Sequence, residues 1–335
     1  MKVTRKRGGS MAQIACTVCP HGCVLGVGQI GRCRVRRNVR GRVVLMAYGH
    51  PCAVHVDPIA KKPLYHFLPA TKTFSIGTAG CNLSCLNCQN AEISQRSFNK
   101  SPSYDLPPRA VAAAAQENGC PSVSYTYTEP LVAIEYVRDC AQVCRETGLR
   151  NILVTAGYAT SETVRVAASV IDAANVDIKS MNDAFYRKVC GVDSVKPVLD
   201  ALVQLRAAGV WIEVTCLIIP TLNDTDADFT QLAGWISANL GAETPLHLSR
   251  FFPTHQLVEL PNTPEETLLR ARACALESGL RHVYIGNADI SGTDDTICVG
   301  CDGVLLRRRG FTVCEDRLQD GKCPTCGRVA AGVWR

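Results

Sequence analysis

The sequence predicts an α/β protein built on a barrel of parallel strands, partial or full, with about six βα units. Short apolar runs alternate with amphipathic runs through the middle of the 335-residue chain, as expected when helices cover a parallel sheet. Cysteines concentrate in three groups, one before, one inside and one after this region. We therefore expect a cysteine-rich module at 1–72, the barrel at 73–290 and a small metal-binding module at 291–335.

The cysteine content indicates a reducing compartment. The chain has 19 cysteines, an odd number, and a secreted disulfide protein of this length is unusual. No apolar run is long enough to span a bilayer, and the basic stretch 1–10 lacks a following apolar core. We therefore expect a cytoplasmic protein without a signal peptide or a membrane helix.

The positive charge is concentrated at the N-terminus. The net charge is +6, and no Asp or Glu occurs between Met1 and Arg42. The basic residues of this stretch are Lys2, Arg5, Lys6, Arg7, Arg32, Arg34, Arg36, Arg37, Arg40 and Arg42. Such a surface suits nucleic acid or an acidic protein partner. The plainer interpretation is a disordered basic tail and a solvated face.

The N-terminal module carries four cysteines within eighteen residues, Cys16, Cys19, Cys23 and Cys33. Soft ligands interleaved with Gly and Pro turns are typical of a small closed metal site. Zinc is the simplest choice because four thiolates complete its tetrahedron. An iron–sulfur cluster is the alternative.

The central region supplies the alternating elements. The predicted strands are Thr73–Ile76, Ser122–Tyr127, Asn151–Thr155, Asn175–Ile178, Val210–Ile219, Leu246–Phe251 and Val283–Ile285. The predicted helices are Arg109–Glu117, Leu131–Thr147, Ser161–Ala174, Val195–Ala208, Asp224–Leu240 and Pro264–Ser278. Capping residues begin several of these helices, and glycines follow their ends.

Three cysteines at CxxxCxxC spacing, Cys81, Cys85 and Cys88, follow the first predicted strand. Three thiolates leave one iron of a four-iron cluster without a protein ligand. That iron is free to bind a substrate or cofactor, as in catalytic metal sites with an open position. A zinc site or three unrelated buried cysteines are the alternatives, but zinc usually takes paired CxxC units.

Polar groups follow three further strands in the same way. They are Thr128 and Glu129 after the second strand, Asp177 and Lys179 at the fourth, and His247 and Arg250 at the sixth. Because active groups gather at the C-terminal ends of barrel strands, we expect these side chains to converge at the barrel mouth. Carboxylates beside cations suit a ligand with an amino acid moiety.

The C-terminal tail contains two CxxC pairs, Cys298 with Cys301 and Cys323 with Cys326. Paired CxxC units separated by a short insert are a strong signal for a zinc ribbon. Rubredoxin-like iron is the alternative on ligand type alone.

The ordered series of short motifs resembles the radical S-adenosylmethionine (SAM) enzymes. The motifs are CNLSCLNCQN after GTAG, then TYTEP, DIK, LIIPTLND, HLSRFFP and VYIGN, flanked by the two other cysteine groups. The likeness is nearest to the pyruvate formate-lyase activating-enzyme branch and, within it, to the radical SAM component of the AmmeMemoRadiSam system. Cys190 stands where many relatives have Thr, and we predict no chemistry for it.

The resemblance implies a partial (β/α)6 barrel of the TIM type, with a 4Fe–4S cluster on Cys81, Cys85 and Cys88. SAM would chelate the open iron through its amino and carboxylate groups. The SAM contacts implied by the likeness are Thr128, Glu129, Asp177, Lys179, His247 and Arg250. The implied reaction is reductive cleavage of SAM to a 5′-deoxyadenosyl radical, which abstracts hydrogen from an unidentified substrate. An electron donor such as ferredoxin or flavodoxin would supply the electron.

Several functions stay open at this level. The substrate is a small or nucleotide-derived molecule, handled with Memo-like and AmmeCR-like partners, or the backbone glycine of a glycyl-radical enzyme, or RNA. The extra metal modules weigh against a minimal activase. The non-enzyme alternative is a zinc- and cluster-bearing module that binds protein or nucleic acid.

Overall fold

The structure, a computed structural model, describes residues 13–335. The basic residues Lys2, Arg5, Lys6 and Arg7 lie outside the described residues. The N-terminal module contains two small antiparallel ladders. Their strands are β1 (Ile14–Ala15) with β2 (Val24–Leu25), and β3 (Arg36–Val39) with β4 (Arg42–Leu45).

An eight-stranded sheet forms the centre of the described chain. Its strands are β5 (Ala53–Pro58), β6 (Lys72–Gly77), β7 (Ser122–Tyr125), β8 (Arg150–Thr155), β9 (Ala173–Asp177), β10 (Trp211–Ile218), β11 (Leu246–Arg250) and β12 (Val283–Gly286). Strands β6 to β12 are parallel and lie in sequence order, and β5 pairs antiparallel with β6. Because β12 and β5 are the two edges, the sheet is open, which confirms the predicted partial barrel.

Helices connect the parallel strands. They are α1 (Ala91–Ser94), α2 (Pro108–Glu117), α3 (Ile134–Glu146), α4 (Ser161–Ala168), α5 (Asp183–Phe185), α6 (Lys196–Ala207), α7 (Asp226–Leu240) and α8 (Glu265–Glu277). Short 3₁₀ turns occur at Ile59–Lys61, Phe98–Lys100 and Pro130–Ala133, and a π turn at Tyr186–Cys190. A capping box between Thr225 and Asp228 begins α7, and it fixes the entry of the chain into that helix.

The helix predicted to run to Ala174 is shorter than expected. Thr160 caps α4 by accepting from the Thr163 amide, and the helix ends at Ala168. Residues 173–177 instead form β9, where β-branched and small apolar side chains are buried between β8 and β10. Tertiary pairing therefore overrides the helical pattern of this stretch.

A buried arginine docks the N-terminal module onto the barrel. Arg36 is 2% exposed. Its Nε donates to the Val132 carbonyl at 2.7 Å, and its guanidinium forms an ion pair with Glu135 on α3. The pairing satisfies a charge that would be costly to bury alone. The module is consequently held against the start of α3.

A buried carboxylate organises the N-terminal ends of the barrel strands. Glu213 on β10 accepts from the amides of Tyr65 and His66 at 2.9 and 2.8 Å. It also accepts from Trp211 Nε1 at 3.1 Å and from His247 Nε2 at 2.7 Å. Burial tends to raise the pKa of Glu213, but these donors outweigh it and the net pKa is lowered. The segment around Tyr65 is thereby fixed across this end of the barrel.

The C-terminal module is a three-stranded antiparallel sheet packed at the same end. Its strands are β13 (Thr296–Ile297), β14 (Val304–Arg309) and β15 (Thr312–Asp316). Arg308 donates to the Tyr65 carbonyl at 2.8 Å, and His66 Nδ1 hydrogen-bonds to the Ala331 carbonyl at 2.7 Å. Within the described range 13–335, no helix has the length and apolarity needed to cross a membrane.

Candidate active site

The three cysteines of the CxxxCxxC motif lie in the loop that leaves the first parallel strand. We call residues 78–90, between β6 and α1, the cysteine loop. Cys81, Cys85 and Cys88 are all partly buried in it. The Gly80 amide donates to the Ile93 carbonyl at 2.9 Å and closes the loop. The motif therefore occupies the C-terminal end of a barrel strand, where the sequence predicts it.

Two of the sulfurs each have a hydrogen-bond partner within the protein. The Leu83 amide donates to Cys81 Sγ at 3.4 Å. Cys88 Sγ lies 3.2 Å from Ser94 Oγ, at the end of α1. Hydrogen bonds to thiolate ligands tune a metal group and orient its ligands. The three soft sulfurs and these donors are the chemistry that an iron–sulfur cluster requires.

Unpaired polar atoms point to a missing group in the same loop. In the described part of the chain, six buried side-chain polar atoms lack a hydrogen-bond partner. Three of them belong to the cysteine loop: Thr78 Oγ1, Asn82 Oδ1 and Asn87 Oδ1. Buried polar atoms without partners are costly. Their concentration here fits a loop that is completed by a bound cofactor.

Cys190 is a site neighbour that the sequence reasoning missed. The Ser84 amide donates to the Cys190 carbonyl at 2.8 Å, and the Leu86 amide donates to the Val189 carbonyl at 2.9 Å. The Cys190 thiol beside Cys85 lowers the pKa of the Cys85 thiol to about 7, against the opposing effect of burial, and Lys179 adds to the lowering. The signal that points to Cys190 is structural: the residue ends a π turn, and such turns often mark functional sites.

Glu129 lies close to the cysteine loop and accepts three hydrogen bonds from protein donors. It is 1% exposed. Its carboxylate accepts from Thr155 Oγ1 at 2.6 Å, from the Ala156 amide at 2.9 Å and from the Leu131 amide at 3.0 Å. Burial raises the pKa of Glu129, and these three bonds oppose the rise. The carboxylate therefore joins the ends of β7 and β8 beside the cysteine loop.

Thr128 completes the β7 end of the site. Its Oγ1 donates to the Thr78 carbonyl at 2.8 Å. This bond connects the segment after β7 to the first residue of the cysteine loop.

Asp177 and Lys179 form an ion pair at the end of β9. Lys179 Nζ lies 2.9 Å from Asp177 Oδ2. Burial opposes the charge on Lys179, but Asp177 and Cys85 outweigh it and raise the pKa of the ammonium. The pair therefore lies beside Cys85, as predicted from the motif positions.

Asn223 holds the backbone of this pair and was not singled out as a site residue from the sequence. It is 2% exposed. Its Nδ2 donates to the carbonyls of Lys179 at 2.7 Å and Leu217 at 2.9 Å, and its Oδ1 accepts from the Ile219 amide at 2.7 Å. The LIIPTLND motif thereby supports the end of β9. A buried Asn with three satisfied bonds fixes a loop rigidly.

His247 is not at the expected position at the barrel mouth. It is the second residue of β11, and its Nε2 is bound to Glu213. Its ring packs on Tyr65, 4.8 Å between centroids, in the layer that covers the N-terminal ends of the strands. The expectation is corrected because strand pairing places His247 at the start of β11.

Arg250 is at the C-terminal end of β11, but its side chain points to the β11–α8 connection. Its Nε donates to the Thr263 carbonyl at 2.8 Å, and Nη1 lies 3.5 Å from Glu265. The structure therefore brings Thr128, Glu129, Asp177 and Lys179 to the cysteine loop, and it leaves His247 and Arg250 with other partners.

The C-terminal cysteines form a compact group. Cys298 and Cys326 sulfurs lie 3.6 Å apart, as do those of Cys301 and Cys323. Four thiolates at about 2.3 Å from one zinc ion lie about 3.8 Å from one another. The group therefore has the size of a zinc tetrahedron.

The other cysteine groups are more open. Among the described residues, only the C-terminal group brings three or more ligand atoms within 4.8 Å of one another. The N-terminal group is made up of Cys16, Cys19, Cys23 and Cys33, and three of these four cysteines are buried.

The N-terminal module directly contacts the cysteine loop. His21 Nε2 hydrogen-bonds to the Asn82 carbonyl at 2.8 Å, and Arg34 Nη1 donates to the Cys81 carbonyl at 3.4 Å. Arg32 Nη2 donates to the Gly191 carbonyl at 3.2 Å. The cysteine loop is thus enclosed from the side of the N-terminal module.

Comparison with known proteins identifies the family. A profile of the radical SAM superfamily matches residues 75–236. The chain is 39% identical to the uncharacterized protein MJ0808 of Methanocaldococcus jannaschii over 94% of each protein. It is 24% identical to the pyruvate formate-lyase 1-activating enzyme of Escherichia coli, over 53% of this chain and 72% of that protein.

A solved structure shows the same fold. A radical SAM methyltransferase from Sphaerobacter thermophilus superposes with a TM-score of 0.52 at 15% identity, over 67% of this chain and 70% of that chain. The profile from β6 to α7 and the cysteine loop at the barrel mouth show that the chain carries a radical SAM domain and is a SAM-dependent radical SAM enzyme, a class that implies a 4Fe–4S cluster.

Proposed function

We propose that this enzyme holds its 4Fe–4S cluster on Cys81, Cys85 and Cys88 and binds SAM at the open iron. The product of that site is a 5′-deoxyadenosyl radical that abstracts hydrogen from a substrate yet to be identified. The observation that best supports this proposal is the cysteine loop, which has three sulfurs and three unpaired buried polar atoms at the barrel mouth. When bound, the cluster supplies the electron that cleaves the sulfonium of SAM.

The chain's own residues orient the amino acid moiety of SAM. We propose that Asp177 attracts the SAM ammonium and that Lys179 attracts its carboxylate, since the pair lies beside Cys85. Glu129 has about four acceptor positions, of which three are occupied. We propose Glu129 and Thr128 mainly as positioning residues. His247 and Arg250 are left out of the proposed SAM contacts because their polar atoms bind elsewhere.

The flanking cysteine groups support two further metal proposals. For Cys298, Cys301, Cys323 and Cys326, sulfur distances of 3.6 Å support structural zinc. For Cys16, Cys19, Cys23 and Cys33, four thiols within eighteen residues support a metal site that holds either zinc or an iron–sulfur cluster. We keep the three-module division at 1–72, 73–290 and 291–335, although β5 belongs to the central sheet.

We propose a reducing cytoplasmic location, since all 19 cysteines are free. The finer assignment to the AmmeMemoRadiSam system, with Memo-like and AmmeCR-like partners, rests on the motif likeness over the whole chain. A ferredoxin or flavodoxin is the proposed electron donor.

A glycyl-radical activase is the second candidate function. It is supported by the 24% identity to the activating enzyme of Escherichia coli, which extends over 72% of that protein. The two additional cysteine modules weigh against it. Transfer of deuterium from a backbone-glycine peptide into 5′-deoxyadenosine would favour the activase, and transfer from a small molecule would exclude it.

The central test is SAM turnover. Protein reconstituted anaerobically with iron and sulfide, then treated with dithionite and SAM, should produce 5′-deoxyadenosine and methionine. The Cys85→Ala variant should lose this activity, and Cys274→Ala, which removes a partly buried cysteine on α8, should retain it. If wild type releases no more 5′-deoxyadenosine than Cys85→Ala, the radical function is refuted.

A further inference from the structure

One face of the N-terminal β3–β4 hairpin combines exposed aliphatic side chains with arginines. The register pairs Arg37 with Val44 and Val39 with Arg42, so these four side chains share one face. Ile30 forms a bridge to Arg37 and extends the same surface. We call these five residues the hairpin face.

The hairpin face is open while the opposite side of the hairpin is buried. Ile30, Val39 and Val44 are 45%, 40% and 40% exposed. On the other side, Asn38 and Leu45 are buried. This alternation shows that the register of the hairpin directs the aliphatic side chains toward solvent.

The surroundings of the hairpin face are strongly basic. The described residues from 13 to 56 contain no Asp or Glu. Exposed Arg40, in the turn between β3 and β4, adds to the charge of Arg42 on the face. A positive field of this kind attracts a partner of opposite charge and speeds its encounter.

The composition of the face favours a protein partner over a nucleic acid. Surfaces that bind single strands usually present aromatic rings on which bases stack. The hairpin face has aliphatic residues and arginines instead, and arginine is enriched in protein interfaces with an apolar centre. A small face also matches the limited area of transient electron-transfer contacts.

The N-terminal module, which carries the hairpin face, packs against the cysteine loop. Arg34, two residues before β3, donates to the carbonyl of the ligand residue Cys81. The Cys33 carbonyl and the Val35 side chain pack directly on Gly80 in the cysteine loop. The N-terminal module that carries the hairpin face is therefore in direct contact with the cysteine loop.

We propose that the hairpin face is the docking surface of an acidic one-electron carrier protein that reduces the cluster. This inference rests on the proposed function, which requires one electron for each SAM cleaved. In that step the reduced carrier loses one electron and the cluster gains it, and no covalent bond forms or breaks.

The test compares a protein donor with a chemical one. Binding of purified oxidised flavodoxin to the reconstituted enzyme is measured by biolayer interferometry at low and high salt. Turnover is measured with flavodoxin, its reductase and NADPH, and separately with dithionite. The variants are Arg42→Glu and Val44→Ser on the face, and Arg109→Glu, the same charge change at the exposed start of α2.

We expect Arg42→Glu to weaken flavodoxin binding about tenfold at low salt and to lose most of its salt dependence. Val44→Ser should weaken binding less. Flavodoxin-driven turnover should fall in parallel, while dithionite-driven turnover and the thermal unfolding midpoint stay at the wild-type value. Arg109→Glu should match wild type throughout.

Two results would overturn the inference. One is flavodoxin binding that Arg42→Glu leaves unchanged. The other is binding of a single-stranded RNA oligonucleotide that Arg42→Glu abolishes while flavodoxin binding persists, which would assign the face to nucleic acid. Absence of dithionite-driven turnover in wild type would count against the proposed function instead, and the binding measurement would still decide on the docking surface.

Discussion

Gly80→Ala should disrupt the contact between the N-terminal module and the cysteine loop. Gly80 has φ +83°, and a Cβ added there would lie 2.2 Å from the Cys33 carbonyl oxygen and 2.7 Å from Val35 Cγ1. Side-chain contacts below 3.0 Å force the neighbour to move. The first of these neighbours is backbone, which cannot rotate away as a side chain does.

Gly209 provides the matched control. It has φ +84°, and a Cβ added there would meet no atom within 4 Å. The left-handed conformation costs an alanine about 1–2 kcal/mol at either position. At Gly80 the steric overlap adds about 1–3 kcal/mol, for a total loss of roughly 2–5 kcal/mol.

The assays are thermal unfolding, iron per chain after reconstitution, and 5′-deoxyadenosine formation. We expect Gly80→Ala to lose iron and turnover while retaining the zinc proposed for the C-terminal module, because that module packs at the opposite end of the barrel. Gly209→Ala should show only a small decrease in the unfolding midpoint. If the two variants have the same midpoint and the same iron content, the contact at Gly80 does not support the cluster site.

Three further predictions concern the rest of the chain. Burial lowers the pKa of His66 to about 3 and that of His282 to about 4. As the pH falls below about 6.5, the two histidines take up protons in the unfolded chain before they do so in the folded one. The free energy of unfolding should therefore fall by about 2 kcal/mol per histidine between pH 7 and pH 5. Urea unfolding at the two pH values measures this difference, and equal free energies would contradict it. Cys301→Ser should remove zinc without changing the iron content, as metal analysis will show; retained zinc would place the metal elsewhere. Asn223→Ala removes the bond to the Lys179 carbonyl. It should raise the KM for SAM at least about fivefold, because losing a buried hydrogen bond costs about 1–3 kcal/mol, whereas an unchanged KM would leave Asn223 without a role in positioning.

The barrel was predictable because its signals are local. Alternating apolar and amphipathic runs, with capping residues such as Thr225, specify βα units within short windows of sequence. The boundary between α4 and β9 was not predictable in this way. Residues 169–174 suit a helix locally, and only pairing of Ala173 with Ile152 and Trp211 places them at the start of a strand.

The residues of the candidate site also differ in whether local sequence or long-range contacts determine their positions. Cys81, Cys85 and Cys88 could be proposed as cluster ligands from spacing alone, since the three cysteines lie within eight consecutive residues. His247 could not, because its motif position says nothing about the distant Glu213 and Tyr65 that bind it. Cys190 and Asn223 were missed for the same reason, as each acts on the site through hydrogen bonds formed only in the folded chain.

The sequence by itself determined the cysteine loop, the barrel that presents it and the presence of three distinct cysteine groups. The tertiary structure decided which polar residues reach the loop and how widely each group of sulfurs is spaced. It also decided that the N-terminal module closes over Gly80 and turns an arginine-rich aliphatic face outward. The physical reason is that ligand spacing and element periodicity are encoded over a few residues, whereas contacts between distant segments depend on strand register and packing.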